Sequence, residues 1–251
     1  MLKLLKNIRV ALNKFQKLAG KLQHVSLGIP SGRSLFAPLD MEMRGDTYFI
    51  TITPNLLQCL EDLQCLVQLM AKGHTSVMQL VMRPPSYISY TDAWNLGAVG
   101  VWCSGTSYLK PFLWQVEFPR DIQYSLVTVE NPNGSIRINY LELAGALLGF
   151  LVLEAQRVQL KYCHLAIFCY NMTTVVWAYK LRNSKSEIAG CFLRFLGLLM
   201  HQSKCSSMIP HHIAGKDNIM SDIISRAFKM GKFSTAPNDI VSYFNTRFSL
   251  M

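Results

Sequence analysis

Asn139-Tyr140-Leu141-Glu142-Leu143-Ala144-Gly145-Ala146-Leu147-Leu148-Gly149-Phe150-Leu151-Val152-Leu153-Glu154-Ala155-Gln156-Arg157-Val158 is the stretch whose reading decides the fold. It reads as a helix that is apolar almost all round, and such a helix has to be buried between other layers. Glu142, read as part of the first turn, is the only charged residue from Ile138 to Leu153. A buried carboxylate is costly alone, so it calls for a cation, a metal or a water-filled pocket beside it.

Around this helix the pattern alternates between strand and helix. Tyr87 to Asp92, Leu96 to Cys103 and Phe112 to Phe118 read as three strands in a meander. A turn at Ser104-Gly105 follows the second, and Pro119 closes the third. Tyr162 to Tyr170 is a fourth strand, and Met208 to Ala214 a fifth. Asn171 is placed to cap a short helix through Tyr179. Ser184-Lys185-Ser186-Glu187 fits a capping box opening a helix to about His201. Asp217 is placed to cap a last helix through about Phe228. The order β-β-β-α-β-α-α-β-α predicts an α/β unit, a mixed five-stranded sheet with helices on its faces.

Before it stands a smaller, mainly helical segment. Leu4, Leu5, Ile8, Leu12, Phe15, Leu18, Ala19 and Leu22 recur at helical spacing with lysines between them. Gly28-Ile29-Pro30-Ser31-Gly32 breaks that helix, and Asn55 to Lys72 reads as another. Pro84-Pro85 marks a boundary. The expected organisation is therefore 1–83, basic and mainly helical; 84–228, the α/β domain; and 229–251, a tail.

Net charge is +10, with seven basic and no acidic residues from Met1 to Leu39. This favours a polyanionic partner. Two readings of the first helix stand: a solvated basic face on a packed helix, or a face that follows a phosphate backbone. An acid-free basic start also overlaps with a mitochondrial transit peptide, although this one is Lys-rich with no serine before Ser26. The seven cysteines include no C-x-x-C pair and mostly lie in apolar runs. They read as buried and reduced, which suits an intracellular, cytoplasmic or nuclear location and argues against zinc. No apolar run reaches about 18 residues, so no membrane span or membrane partner is expected.

Three carboxylates stand out. Asp92 ends the first strand, Glu142 opens the central helix, and Asp222 falls off the apolar stripe of the last helix. If the sheet gathers them, cations must join them, and an oxygen-lined site suits Mg²⁺ or Mn²⁺. Two such ions about 4 Å apart activate water against a phosphodiester. Each acid also has a plainer reading. Asp92 fits a turn cap, Glu142 a capping box with Asn139, and Asp222 a solvated helix residue. The case rests on the set.

The run from about Tyr87 to Phe228 resembles the ribonuclease H domain of retrotransposon reverse transcriptases, particularly DIRS-like and Ngaro-like elements. The matching pieces are Y-T-D-A-W-N-L-G-A-V-G-V-W-C-S-G, W-Q-V-E-F-P, I-N-Y-L-E-L-A-G-A-L-L, N-M-T-T-V-V-W and H-I-A-G-K-D-N-I-M-S-D-I-I-S-R. The segment F-Q-K-L-A-G-K-L-Q-H-V-S-L-G-I-P-S-G-R is similar to the polymerase tail, thumb or connection, upstream of such domains. The resemblance implies a ribonuclease H-like fold, cleavage of the RNA strand of RNA–DNA hybrids with two Mg²⁺ (or Mn²⁺) ions, and membership of a reverse transcriptase polyprotein. It puts the family's first acid on Asp92, its helix acid on Glu142 and its last acid on Asp222.

The family's third acid, an aspartate expected at the end of the fourth strand, does not carry over. Tyr170 stands where the family expects an aspartate. A phenol with a pKa near about 10 is neutral at pH 7 and a weak ligand. Asn171 offers only a neutral oxygen. Tyr140 and Ser221 also depart from the family's usual aspartate and alanine. Impaired activity is therefore expected. No Y-x-D-D motif of a polymerase occurs. The alternative is a catalytically dead remnant that holds nucleic acid through Lys14, Lys17, Lys21, Lys180, Arg182, Lys185 and Lys216.

Overall fold

The structure is a computed structural model. It describes residues 9–26, 28, 32–36, 39, 43, 48–72, 81, 83–104, 111–181 and 186–229. The chain divides into two compact units. One comprises Met1–Arg83, Leu160–Cys163 and Trp177–Ser207, the other Pro84–Gln159, His164–Val176 and Met208–Met251.

In the first unit, β1 (Arg9–Ala11) pairs antiparallel with β2 (Phe49–Thr51), Val10 opposite Ile50. Helix α1 (Leu12–Ser26) follows at once. The amphipathic helix expected from Leu4 onward therefore starts later. Pairing with β2 draws Arg9–Ala11 into a strand, a tertiary partner overriding local propensity. Leu4, Leu5 and Ile8 lie outside the described residues. Phe15 and Ala19 face the core, whereas Leu18 is 46% exposed. Helix α2 (Pro54–Lys72) opens with proline in its first turn, where its missing N–H is no loss. Thr53 Oγ1 caps it, accepting from Leu56 N–H at 3.2 Å. Leu56, Leu57, Cys59 and Leu63 pack with Leu35 and Phe36 of a 3₁₀ turn, Gly32–Phe36.

The helix that the Ser184 box was expected to open is capped by Ser186 instead; Ser184 lies outside the described residues. Ser186 Oγ accepts from Ala189 N–H at 3.3 Å, and the helix runs Glu187–Gln202. Arg194 on this helix pairs with Asp62 on α2 at 3.3 Å.

The second unit is built on β3 (Tyr87–Ala93), β4 (Gly97–Ser104), β5 (Phe112–Glu117), β6 (His164–Cys169) and β7 (Ser207–His212), in the order β5-β4-β3-β6-β7. β3, β4 and β5 form the antiparallel meander. β6 lies parallel to β3, Thr91 opposite Cys169. Ser206 N–H reaches Cys163 O and Ile213 N–H reaches Cys169 O, so β7 runs parallel to β6. A parallel return needs a long crossover. α3 (Arg120–Tyr124) and α4 (Ile138–Ala155) supply it between β5 and β6. The expected α/β class, a mixed five-stranded sheet with helices on its faces, is what the chain adopts.

α4 covers one face of the sheet. A Cβ on Gly145 would stand 3.6 Å from Ala98 and 3.8 Å from Ala93. One on Gly149 would stand 3.3 Å from Trp114. Trp102 Nε1 donates to Gly149 O at 2.9 Å. Trp102, Phe150, Leu153, Leu165 and Ile167 are at most 1% exposed, each stabilising the unit by about 1.5–3 kcal/mol. By length and apolarity α4 would suffice to cross a membrane, contrary to the expectation that no stretch would; half of it is buried inside the fold, which accounts for its composition. On the opposite face the last helix, α7 (Ile219–Lys229), sets Met220 and Ile224 against Trp94, Val99 and Val101. In chain order the remaining helices are α5 (Met172–Lys180) and α6 (Glu187–Gln202). Beyond Lys229 the expected tail lies outside the described residues.

Gly100 sets a test of this packing. A Cβ there would stand 2.6 Å from the buried Trp114 ring. Gly100→Ala should cost about 1–3 kcal/mol, read as a lower urea midpoint at unchanged slope. Gly20, with nothing within 4 Å, should instead gain about 0.5–1 kcal/mol on replacement by alanine in its helix. Equal stability of Gly100→Ala and wild type would contradict the packing.

Candidate functional site

Helix α4 begins at Ile138 with Arg137 as its N-cap and no side-chain cap bond. Asn139 is thus already helical, and Glu142 lies beyond the first turn. This corrects the capping-box reading: position on the helix does not account for the glutamate. Asn139 serves elsewhere. Its Oδ1 accepts from Asn171 Nδ2 at 2.7 Å, and its backbone oxygen accepts from Thr174 Oγ1 at 3.0 Å.

Glu142 is 4% exposed. Among the described residues no cation pairs with it. Its Oε2 accepts from the thiol of Cys169, at the end of β6, at 3.5 Å. Burial above all, and then the Asp92 charge, push its pKa up to about 8, against a smaller opposing pull from the Cys169 hydrogen bond. At pH 7 the carboxyl is mostly protonated. Burial, followed by the Glu142 charge, also raises the Cys169 pKa, which keeps it a thiol and a donor. Among the described residues the buried acid meets a thiol donor and no cationic side chain.

Asp92 sits on β3 out of phase with the buried Ser89, Thr91 and Ala93. The structure brings it within electrostatic reach of Glu142 and Cys169. Asp222 is half-buried on α7. Its helix is tied to β3. Asp222 N–H bonds Asn218 O at 3.1 Å, and the buried Asn218 donates Nδ2 to Thr91 O at 3.2 Å, one residue before Asp92. Asn218 precedes α7 directly. Asp217, expected as the cap, belongs to a separate 3₁₀ turn, Gly215–Asp217.

Tyr170 follows β6 and is 56% exposed. Its ring lies 6.4 Å from that of His212. Asn171, the other oxygen considered for a metal, is in use: its Oδ1 caps α5 through Thr173 N–H at 3.0 Å and Thr174 N–H at 3.2 Å. Among the described residues no group of three or more His, Cys, Asp or Glu side chains is arranged to hold a metal ion. Hard divalent ions take about six oxygen ligands. Here one acid accepts from a thiol, one position is a phenol, and the neighbouring amide is committed to a helix cap. As they stand, these groups do not fit a pair of such ions.

Lys14, Lys17 and Lys21 are exposed on α1, and their spacing puts them on one helix face. Lys180 and Lys216 are exposed as well. Arg182 and Lys185 lie outside the described residues. None of the seven cysteines forms a disulfide, but Cys65 and Cys191 are exposed rather than buried. Both stand on helices whose surfaces are only partly covered. Cys169 and Asn218 were not singled out in the sequence. Only the register that sets Thr91 opposite Cys169 turns an apolar-looking cysteine into a partner for Glu142.

A carboxyl whose folded pKa lies above its ordinary value of 4.5 binds its proton more tightly in the folded state. Its stabilisation is complete below about pH 4.5 and is lost as pH rises through 8, by up to about 1.4 kcal/mol per pH unit. Urea unfolding at pH 5, 6.5 and 8 should show wild type losing stability relative to Glu142→Gln, which has no proton to lose. Parallel pH profiles for the two proteins would contradict a protonated Glu142.

No family model and no curated protein matches the chain. Among solved structures it is similar to a ribonuclease H1 isolated from compost by a metagenomic approach, at 12% identity and a TM-score of 0.43 over 59% of this chain and 98% of that one. It is also similar to ribonuclease H1 of the archaeon Halobacterium salinarum, at 10% identity and a TM-score of 0.36 over 57% and 97%. A third is the prototype foamy virus protease–reverse transcriptase, at 12% identity and a TM-score of 0.31 over 83% of this chain and 26% of that one. These neighbours are ribonucleases H and a reverse transcriptase; the α/β class of this chain stands on its own sheet order.

Proposed function

We propose that the chain is the ribonuclease H-like part of a retroelement reverse transcriptase, of the DIRS-like or Ngaro-like kind, with a piece of the polymerase tail before it. In this reading metal-dependent cleavage of RNA–DNA hybrids is lost or strongly impaired, while nucleic acid is still held. The observation that carries it is the Glu142–Cys169 contact at 3.5 Å. In this reading a thiol donor meets the buried carboxyl where a working site would offer it a cation. Tyr170 in place of an aspartate points the same way. The Mg²⁺ or Mn²⁺ ions that such domains use would meet three acids instead of four. Loss of one shared carboxylate costs on the order of thousands-fold in rate, given what metal activation of water supplies.

The retained binding rests on the exposed lysines of α1 with Lys180 and Lys216, and on the +10 net charge. The partners in this reading are an RNA–DNA hybrid or a related nucleic acid and the remainder of the polyprotein, inside the cell in cytoplasm or nucleus. The presence of Asp92, Glu142 and Asp222 favours a second reading, a slow but working hydrolase.

Cleavage of an end-labelled RNA strand in a hybrid, with Mg²⁺ or Mn²⁺, separates the two. Wild type should be near background, and Tyr170→Asp should gain activity that Asp92→Asn then removes. Efficient wild-type cleavage that survives Asp92→Asn would overturn the assignment. Binding is read separately. Reversing Lys14, Lys17 and Lys21 to glutamate should weaken hybrid binding at least tenfold and flatten its salt dependence by about one slope unit per lysine. Unchanged affinity and slope would remove α1 from the binding surface.

A further inference from the structure

Tyr170 lacks the carboxylate, yet its ring is held in place. Gly215 lies beneath it; a Cβ there would stand 3.2 Å from Cε2 and 3.3 Å from Cδ2. The ring of His212, on the neighbouring strand, lies 6.4 Å away at 34°. Among the described residues no group bonds the phenol oxygen, so ring contacts alone position the side chain. More than half of the residue remains open, at 56% exposure. Next to it, Tyr90, Phe168 and His211 stack across β3, β6 and β7, with centroids 5.0 Å apart at 17° and 22°; His211 is exposed. The 3₁₀ turn beneath Tyr170 carries exposed Lys216 and exposed Asp217.

We propose that Tyr170, seated on Gly215 beside His212, is a stacking platform for an unpaired base of single-stranded nucleic acid. The proposal rests on the nucleic-acid reading above and names the strand that this position takes. An open aromatic ring offers a π-face that any base can cover, and such stacking tolerates sequence. A base in a duplex already has both faces covered by its neighbours, so a platform selects unpaired nucleotides. Lys216 supplies a cation for the adjacent phosphate. The exchange of a carboxylate for a phenol thus turns a position that would repel phosphate, unless metals were bound, into one that attracts a base.

Fluorescence anisotropy with a labelled 12-nucleotide single strand and, in parallel, an RNA–DNA hybrid tests this on the whole chain. Tyr170→Ala should weaken single-strand binding about tenfold and leave hybrid binding within about twofold. Tyr170→Phe and Tyr170→Trp should keep wild-type affinity, because the ring and not the hydroxyl does the work. Gly215→Val, which displaces the ring, should match Tyr170→Ala. Single-strand affinity unchanged in Tyr170→Ala, or equally reduced in Tyr170→Phe, would overturn the platform while leaving the nucleic-acid reading intact. Failure of wild type to bind either probe would overturn both.

Discussion

Close approach of α4 to the sheet is the constraint on which the second unit depends. Gly145 and Gly149 meet Ala93, Ala98, Trp102 and Trp114. Trp102 Nε1 bonds directly to the helix backbone at Gly149. At that distance no water layer separates helix from sheet, and interiors packed to this density do not yield to charge. Glu142, on the same helix, therefore arrives in a dry place. Its protonation at neutral pH follows from the packing.

That proton resolves a conflict between two acids. Asp92 and Glu142 lie close enough for the charge of one to raise the pKa of the other, and two carboxylates that cannot both ionise share the cost by keeping one neutral. Cations would be the other solution. At the end of β6, Cys169 offers a thiol, Tyr170 a phenol and Asn171 an amide already used as a helix cap. The scaffold that positions these groups is intact.

Much of the fold was legible because its signals are local and strong. The strands from Tyr87, Gly97, Phe112, His164 and Ser207, and the apolar helix between them, follow from periodicity and turn residues. The misreadings share one cause. Arg9–Ala11 looks helical until β2 pairs with it. Asn139 and Glu142 have capping-box spacing, yet the helix starts two residues earlier than that box requires, with Arg137 as its N-cap. Asp217 is a good cap by type, yet the helix opens after Asn218, whose side chain bonds Thr91 on β3 instead. In each case a long-range partner shifts a boundary by one or a few residues, which is enough to change a side chain's role.

By itself the sequence determined that a nearly uncharged helix must be buried, that Glu142 near its start would be under strain there, and that Tyr170 brings no negative charge. Those follow from residue type and short-range spacing. Only the tertiary structure decided how the glutamate is relieved. The parallel register of β3 and β6 carries Cys169 to Glu142 across 27 residues of chain, and the same register leaves Asp92 beside them. Whether a buried carboxyl meets a cation, a water or a thiol depends on neighbours remote in sequence, and no local pattern encodes that meeting.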